Sequence, residues 1–252
     1  MTKALNRVPE ITIYFWIIKS LATTVGETGA DYLSTTLNLG LGVTSYIMGG
    51  VLLIALFNQF RLKQYMPASY WFVIVLTSIV GTLITDRLVD ELGVSLATTA
   101  IIFSFALLTV FVLWYVQEKT LAMHSINTAK REIFYWAAVL LTFALGTSTG
   151  DLLAETSGLG YGMSALVFGV SIAIITSAYY YLRLNSVLAF WIAFILTRPL
   201  GASIGDLLSQ PTTAGGLGWG TVGTSMLFLS IILSLIIYLS LKQKKSILSS
   251  ID

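Results

Sequence analysis

The chain has no cysteine and a single histidine, His124, which lies in a polar stretch. Disulfides, thiolate metal sites and cysteine nucleophiles are therefore excluded, and so is a zinc or haem site built from several histidines. Charge is scarce as well: 10% of the 252 residues are Asp, Glu, Lys or Arg, whereas 56% are apolar. A soluble domain carries about 25% charged residues, so this composition belongs to an integral membrane protein. The net charge of +2 is too small to point to nucleic acid. The N-terminus does not read as a cleavable signal, because Glu10 and Lys19 interrupt its apolar run and no A-x-A site follows.

What the chain does have is a repeat. Trp16, Gly26 and Asp31 stand in the frame W-x9-G-x4-D, and so do Trp71, Gly81 and Asp86, then Trp136, Gly146 and Asp151, then Trp191, Gly201 and Asp206. Each Asp is followed by x-Leu. Gapless copies of this kind imply internal duplication and predict four aspartates around a common axis. The expected fold is an all-α integral membrane protein, with eight transmembrane helices arranged as four parallel two-helix repeats. Runs of about 20 residues, the length a bilayer core requires, fall near 10–35, 41–60, 69–89, 94–117, 133–156, 161–182, 186–209 and 219–241. The repeats then cover approximately 10–60, 69–117, 133–182 and 186–241 of one membrane domain, 1–252. The polar loop 118–132 divides the two halves.

Charge predicts orientation. Lys3, Arg7, Arg61, Lys63, Lys119, Lys130, Arg131, Arg183, Lys242, Lys244 and Lys245 lie at the termini or in loops that lead from an even span to an odd one. The positive-inside rule then places both termini in the cytoplasm. Asp90, Glu91 and Glu155 gather on the other side. Each repeated Trp falls near the cytoplasmic end of an odd span, where an aromatic belt is the first expectation and close helix packing the second.

The remaining basic residues, Lys19, Arg87 and Arg198, lie within odd spans or at their ends, as do Glu27 and the four Asp. Charges at membrane depth are costly and mark function or pairing. Lys19, Thr23, Glu27 and Asp31 recur every fourth residue and form one drifting stripe. Ser78, Thr82, Asp86 and Asp90 form another, Thr147, Asp151 and Glu155 a third, and Arg198, Ala202 and Asp206 a fourth. Such stripes must face one another rather than lipid. The expected order along the axis is an outer vestibule of four Asp, then Glu27 and Arg198, then Lys19. Whether the odd helices break at the repeated Gly stays open, with Arg198-Pro199 the strongest break signal. The glycine-bearing stretches 38–42, 91–93, 158–162 and 215–220 read as helix caps and turns first, and as re-entrant carbonyl sites second.

Carboxylates without Cys or a His cluster make a hard oxygen-donor site, suited to manganese, calcium, magnesium, sodium or a proton. Asp31, Glu27, Asp86, Asp151 and Asp206 are the candidate cation-binding or proton-relay residues, with Glu27, Asp31, Asp151 and Asp206 as candidate metal ligands. Lys19, Arg198 and Arg87 are the candidate counter-charges or gates. No catalytic set is expected: the G-x-G-D of intramembrane aspartyl proteases is replaced by S-T-G-D at 148–151 and S-I-G-D at 203–206. The leading function is secondary transport of a small hard cation, coupled to protons, with no cofactor beyond a bound cation. The expected partners are the lipid bilayer and that cation, and the oligomeric state is open. Alternatives are a non-transporting structural or sensory protein held by an ion-pair network, and an anion or organic-solute transporter.

The phrases GETGADYL, TRPLGASIGDLLSQP and GGLGWGT resemble an uncharacterised bacterial family of multi-spanning proteins labelled membrane-anchored, over essentially the whole chain. The resemblance implies a bacterial cytoplasmic membrane. Gly150-Asp151 and Gly205-Asp206 are more loosely similar to the repeated E-x-G-D-[KR]-[ST] motifs of cation/proton exchangers, without their flanking Glu and Lys/Arg-Ser/Thr.

Overall fold

The computed structural model describes residues 6–248. Lys3, counted above among the orienting charges, lies outside the described residues, as does the side chain of Lys245. Among the described residues eight long helices follow one another: α1 Ile13–Asp31, α2 Leu41–Arg61, α3 Pro67–Asp86, α4 Leu96–Glu118, α5 Ala129–Asp151, α6 Gly160–Tyr181, α7 Ser186–Ser209 and α8 Gly220–Leu248. Local sequence explains their starts. Thr12, Ser95, Thr128 and Asn185 cap α1, α4, α5 and α7 with side-chain oxygens that accept from first-turn amides, and Pro67 opens α3. Seven of the eight are long and apolar enough to cross a bilayer. The exception is α1, which carries Lys19, Glu27 and Asp31. The protein is a multi-pass helical membrane protein with an internal repeat.

The odd helices form a closed inner ring in which α1 packs on α3, α3 on α5, α5 on α7 and α7 on α1. The even helices sit outside. Each packs on the odd helix of the following repeat: α2 on α3, α4 on α5, α6 on α7 and α8 on α1. In repeats one to three the helix pair in sequence is thus not a packed pair in space, and in the fourth α8 packs mainly on α1 and only lightly on α7. The exchange laces each repeat to the next, and α8 closes the ring on α1. Tyr14 of α1 touches Tyr238 of α8, so the start of α1 and the C-terminal half of α8 lie at the same end of the bundle.

The repeated glycines do not break the odd helices, which run unbroken through all four. They let the inner helices touch. A Cβ on Gly26 would strike Ser78, one on Gly81 would sit 2.7 Å from Phe143 Cβ, one on Gly146 would strike Arg198, and one on Gly201 would strike Thr23. In every case the obstacle is the residue three before the glycine of the next repeat. Like positions meeting at like heights show that the inner helices are parallel and the ring is pseudo-fourfold. Pro199 lies inside a continuous α7.

One further expectation is corrected. The repeated Trp are not a lipid-facing belt: Trp71, Trp136 and Trp191 are buried. They belong to an aromatic chain through all four inner helices, from Phe15 to Trp71, Tyr70, Tyr135, Trp191, Phe190 and back to Phe15. The aromatic residue before each Trp, in the sequence Phe15, Tyr70, Tyr135 and Phe190, faces inward in all four repeats and is buried, so the pair packs as one ring. The glycine-rich stretches are turns rather than carbonyl filters, with left-handed backbone at Gly40, Gly93, Gly158 and Gly218 among others. Three odd helices pass into one wider π turn after their Asp, at Tyr32–Thr36, Arg87–Glu91 and Leu152–Thr156.

Candidate cation site

The four repeated aspartates occupy the last turn of the inner helices, one turn beyond the layer that holds Glu27, Thr82, Thr147 and Ala202. The ring turns them all toward the axis. Asp31, Asp86, Asp151 and Asp206 line one cavity of about 150 Å³ together with Glu27, Thr85, Asp90, Glu155, Tyr161 and Gln210. Asp90 and Glu155 are exposed at its mouth, whereas Asp206 and Glu27 are buried at 8% and 5% exposure. The five carboxylates named from sequence are thus brought to one place.

Their surroundings differ. Among the described residues, Asp31, Asp86, Asp151 and Asp206 take no hydrogen bond from the protein, and only Glu27 is engaged. Carboxylate oxygens of Glu27, Asp151 and Asp206 lie within 4.8 Å of one another. Oxygens that close can reach one hard cation at ordinary coordination distances of about 2.0–2.6 Å. Asp31, expected in this set, is not part of it.

Beneath the cavity, on Glu27, sits Arg198, which is fully buried. Its Nη2 donates to Glu27 Oε2 at 2.6 Å, to Thr147 Oγ1 at 2.6 Å and to Thr82 Oγ1, and Nη1 donates to Thr23 O at 3.4 Å. The guanidinium therefore sits on the axis, ringed by the residues that follow the repeated glycine in repeats one to three. Ala202, the same position in repeat four, leaves it room. Arg198 Nε has no partner among the described residues. Below lies Lys19, also fully buried. Lys19 Nζ donates to Phe194 O at 2.6 Å and to Thr197 Oγ1, and sits 4.3 Å from the Phe194 ring centroid and 5.3 Å from that of Phe143. The aromatic ring closes the axis beneath it. The expected order of Asp, then Glu27 with Arg198, then Lys19, is the order seen.

Arg87 does not join them. Its Nε donates to Glu91 Oε2 at 3.0 Å and its Nη2 to Tyr46 Oη at 3.2 Å, on the outside of the bundle. It directly follows Asp86 in the chain, and a residue next to an axial one on a helix points about 100° away. Tyr161 and Gln210 were not singled out from sequence. Gln210 stands where Asp90 and Glu155 stand in their repeats, nine residues after the glycine, and that register is the signal that finds it. Outside the spans, Tyr65 Oη accepts from Trp71 Nε1 at 3.1 Å, and burial pushes its phenol up.

The fourfold architecture has a counterpart among protein families. The family model described as Repeat of Unknown Function (DUF347) matches this chain four times, at 14–65, 69–120, 134–185 and 189–245. The chain belongs to that family. Each DUF347 match takes in one inner helix and the outer helix after it, so the family unit is the W-x9-G-x4-D repeat with its following span. No curated protein and no solved structure matches the chain significantly. The likeness to cation/proton exchangers gains no support from the family match. In the structure, the glycines of its G-D pairs lie at helix contacts: a Cβ on Gly150 would stand 3.5 Å from Pro199, and one on Gly205 would stand 3.4 Å from Glu27 Cβ.

Proposed function

We propose that this protein is a secondary transporter of a small hard cation and that the axial cavity is its substrate site. One observation carries the reading. Four carboxylates with no donor of their own, and a fifth on Arg198, converge on a cavity that is closed below by fixed cations and aromatics. Five carboxylates against Arg198 and Lys19 leave negative charge that protons or a bound cation must balance, because like charges so close and so little hydrated repel strongly. A site that trades protons for a cation is a coupled exchanger. Glu27, Asp151 and Asp206 are the ligands closest together, and Asp31 and Asp86 are placed to relay protons or hold the ion on entry. Arg198 is a tethered cation that competes with the substrate for Glu27. The hard oxygen donors favour manganese, calcium, magnesium or sodium.

The placement we adopt is a bacterial cytoplasmic membrane with both termini inside. Arg61, Lys63, Lys119, Lys130, Arg131 and Arg183 support it, all lying at the end remote from the carboxylates. Neither an enzyme nor a nucleic-acid partner enters this reading.

A structural or sensory protein remains the second reading, favoured by the bonds Arg198 makes to three helices. The two separate by flux in proteoliposomes, with manganese, calcium, magnesium and sodium, each with and without a pH gradient. Uptake by the wild type that Asp151→Asn and Asp206→Asn lose while eluting as folded protein is the expected result. An absence of flux for every ion under every gradient would sink the transporter and leave the structural reading.

A further inference from the structure

At the end of the bundle remote from the carboxylates, the segment before α1 lies across the inner ring. Its contacts reach the end of α2 and the turn after it, the central loop and the start of α5. Asn6 O accepts from Tyr65 N at 2.9 Å after α2, and Asn6 Nδ2 donates to Met123 O at 3.4 Å in the central loop. Arg7 N donates to Ile126 O at 2.9 Å, and Arg7 Nη1 donates to Phe60 O at 3.4 Å. Val8 is buried at 2% exposure. The strongest contact is ionic: Arg7 Nη1 lies 2.7 Å from Glu132 Oε2 at the start of α5.

Glu132 is the unusual member. It is fully buried. Its position in the repeat holds Thr12, Pro67 and Val187 in the other copies, so no repeated need explains a carboxylate there. Its other oxygen accepts from Gln59 Nε2 at 3.3 Å, and Gln59 Oε1 in turn accepts from Ser69 Oγ at 2.7 Å. One turn above it on α5, Tyr135 is joined to Tyr70 by a hydroxyl–hydroxyl hydrogen bond within the aromatic ring. The remote end of the axis is therefore shut by two layers, the aromatic ring and the segment crossing beneath it. The second layer is held by backbone hydrogen bonds, by buried Val8 and by a single ion pair, whose carboxylate is fully buried.

We propose that residues 6–12 are the latch of a gate that shuts the axis at this end, and that Arg7–Glu132 is its catch. The proposal rests on the transporter reading, in which a site open at one end must be released at the other by a change in packing around it. Breaking the pair frees the segment, uncovers the underside of the aromatic ring and shifts the population toward states open at this end. A buried carboxylate that loses its partner favours any state that hydrates it.

The absence of native cysteine makes the test clean. A Val139→Cys reporter lies on α5 one turn from Phe143, whose ring faces Lys19 Nζ, and Val139 is fully buried. Its labelling by a membrane-impermeant thiol reagent applied from the side of the termini reads the gate without any ion. In the otherwise unaltered chain we expect slow labelling. Glu132→Gln and Arg7→Gln should each raise the rate at least about tenfold, and the exchanged pair Arg7→Glu with Glu132→Arg should return it toward the starting value. Arg7→Gln alters a partly exposed side chain, so it keeps the test alive should Glu132→Gln not fold. Unchanged labelling in both folded single variants overturns the latch. Faster labelling in the variants of a protein whose unaltered chain moves no cation would uphold the latch and sink the transporter instead.

Discussion

At the scale of single residues, the repeated glycine and the buried arginine carry the clearest consequences. Gly81→Leu would drive a side chain into Phe143 Cβ and Ala144 N, which stand 2.7 and 3.1 Å from a Cβ there. Overpacking against backbone costs about 1–3 kcal/mol or more, and a thermal melt in detergent should show that loss. Gly29→Ala is the control: its Cβ would meet only Ile79 at 3.5 Å, so its melting point should stay near that of the unaltered protein. Arg198→Leu would leave Glu27 buried without its cation. Loss of one partner of a buried pair costs about 3–5 kcal/mol, and adding Glu27→Gln should recover most of it in the same melt. No recovery would mean that the two residues are not coupled. The glycine was plain in the sequence but its purpose was not. A helix break and a helix crossing both call for glycine, and the atom that decides between them belongs to the next repeat.

At the scale of elements, the spans were legible because apolar runs, capping residues and glycine turns agree on where each helix starts and stops. Radial direction was not legible. A Trp at a given height on an inner helix can point to lipid or to a neighbouring helix, and only the packing of the two rings buries Trp71, Trp136 and Trp191. The same limit misplaced Arg87, one residue beyond an axial Asp and therefore on another face. Pro199 illustrates a third kind of ambiguity. It reads as a break, yet α7 continues through it, and its Cδ would be 3.0 Å from a Cβ on Gly146. Its ring works as a wedge against a glycine. Pro199→Ala restores a backbone donor but loses that contact, so its stability should change by less than about 2 kcal/mol. Complete failure to fold on this substitution would show that the wedge is indispensable.

At the scale of the whole molecule, the aspartate set was legible as a set because duplication writes the same position four times. The stripes also ordered Asp, Glu27, Arg198 and Lys19 correctly along the axis. Neither the exchange of outer helices between repeats nor the strap beneath the bundle could be read, since both are contacts between distant segments without a sequence pattern. The closed ring makes α8 essential. It covers α1, the inner helix that lacks a membrane-length apolar run, and packs also on α3 and α7. A chain ending before Gly220 would leave Lys19 and Glu27 on a helix with one side open to lipid. Size-exclusion chromatography in detergent should find no monodisperse product, and a well-behaved peak would show that the inner ring stands alone. The claim on which function turns is that the axial carboxylates bind a hard cation, and the direct measurement is calorimetric titration of the purified protein with manganese, calcium and magnesium. Saturable binding is expected, weakened at least about tenfold by Asp206→Asn because affinity in such sites follows the number of charged ligands. Heats indistinguishable between wild type and the Asp206→Asn variant, or no binding by either, would show that the cavity is not a cation site.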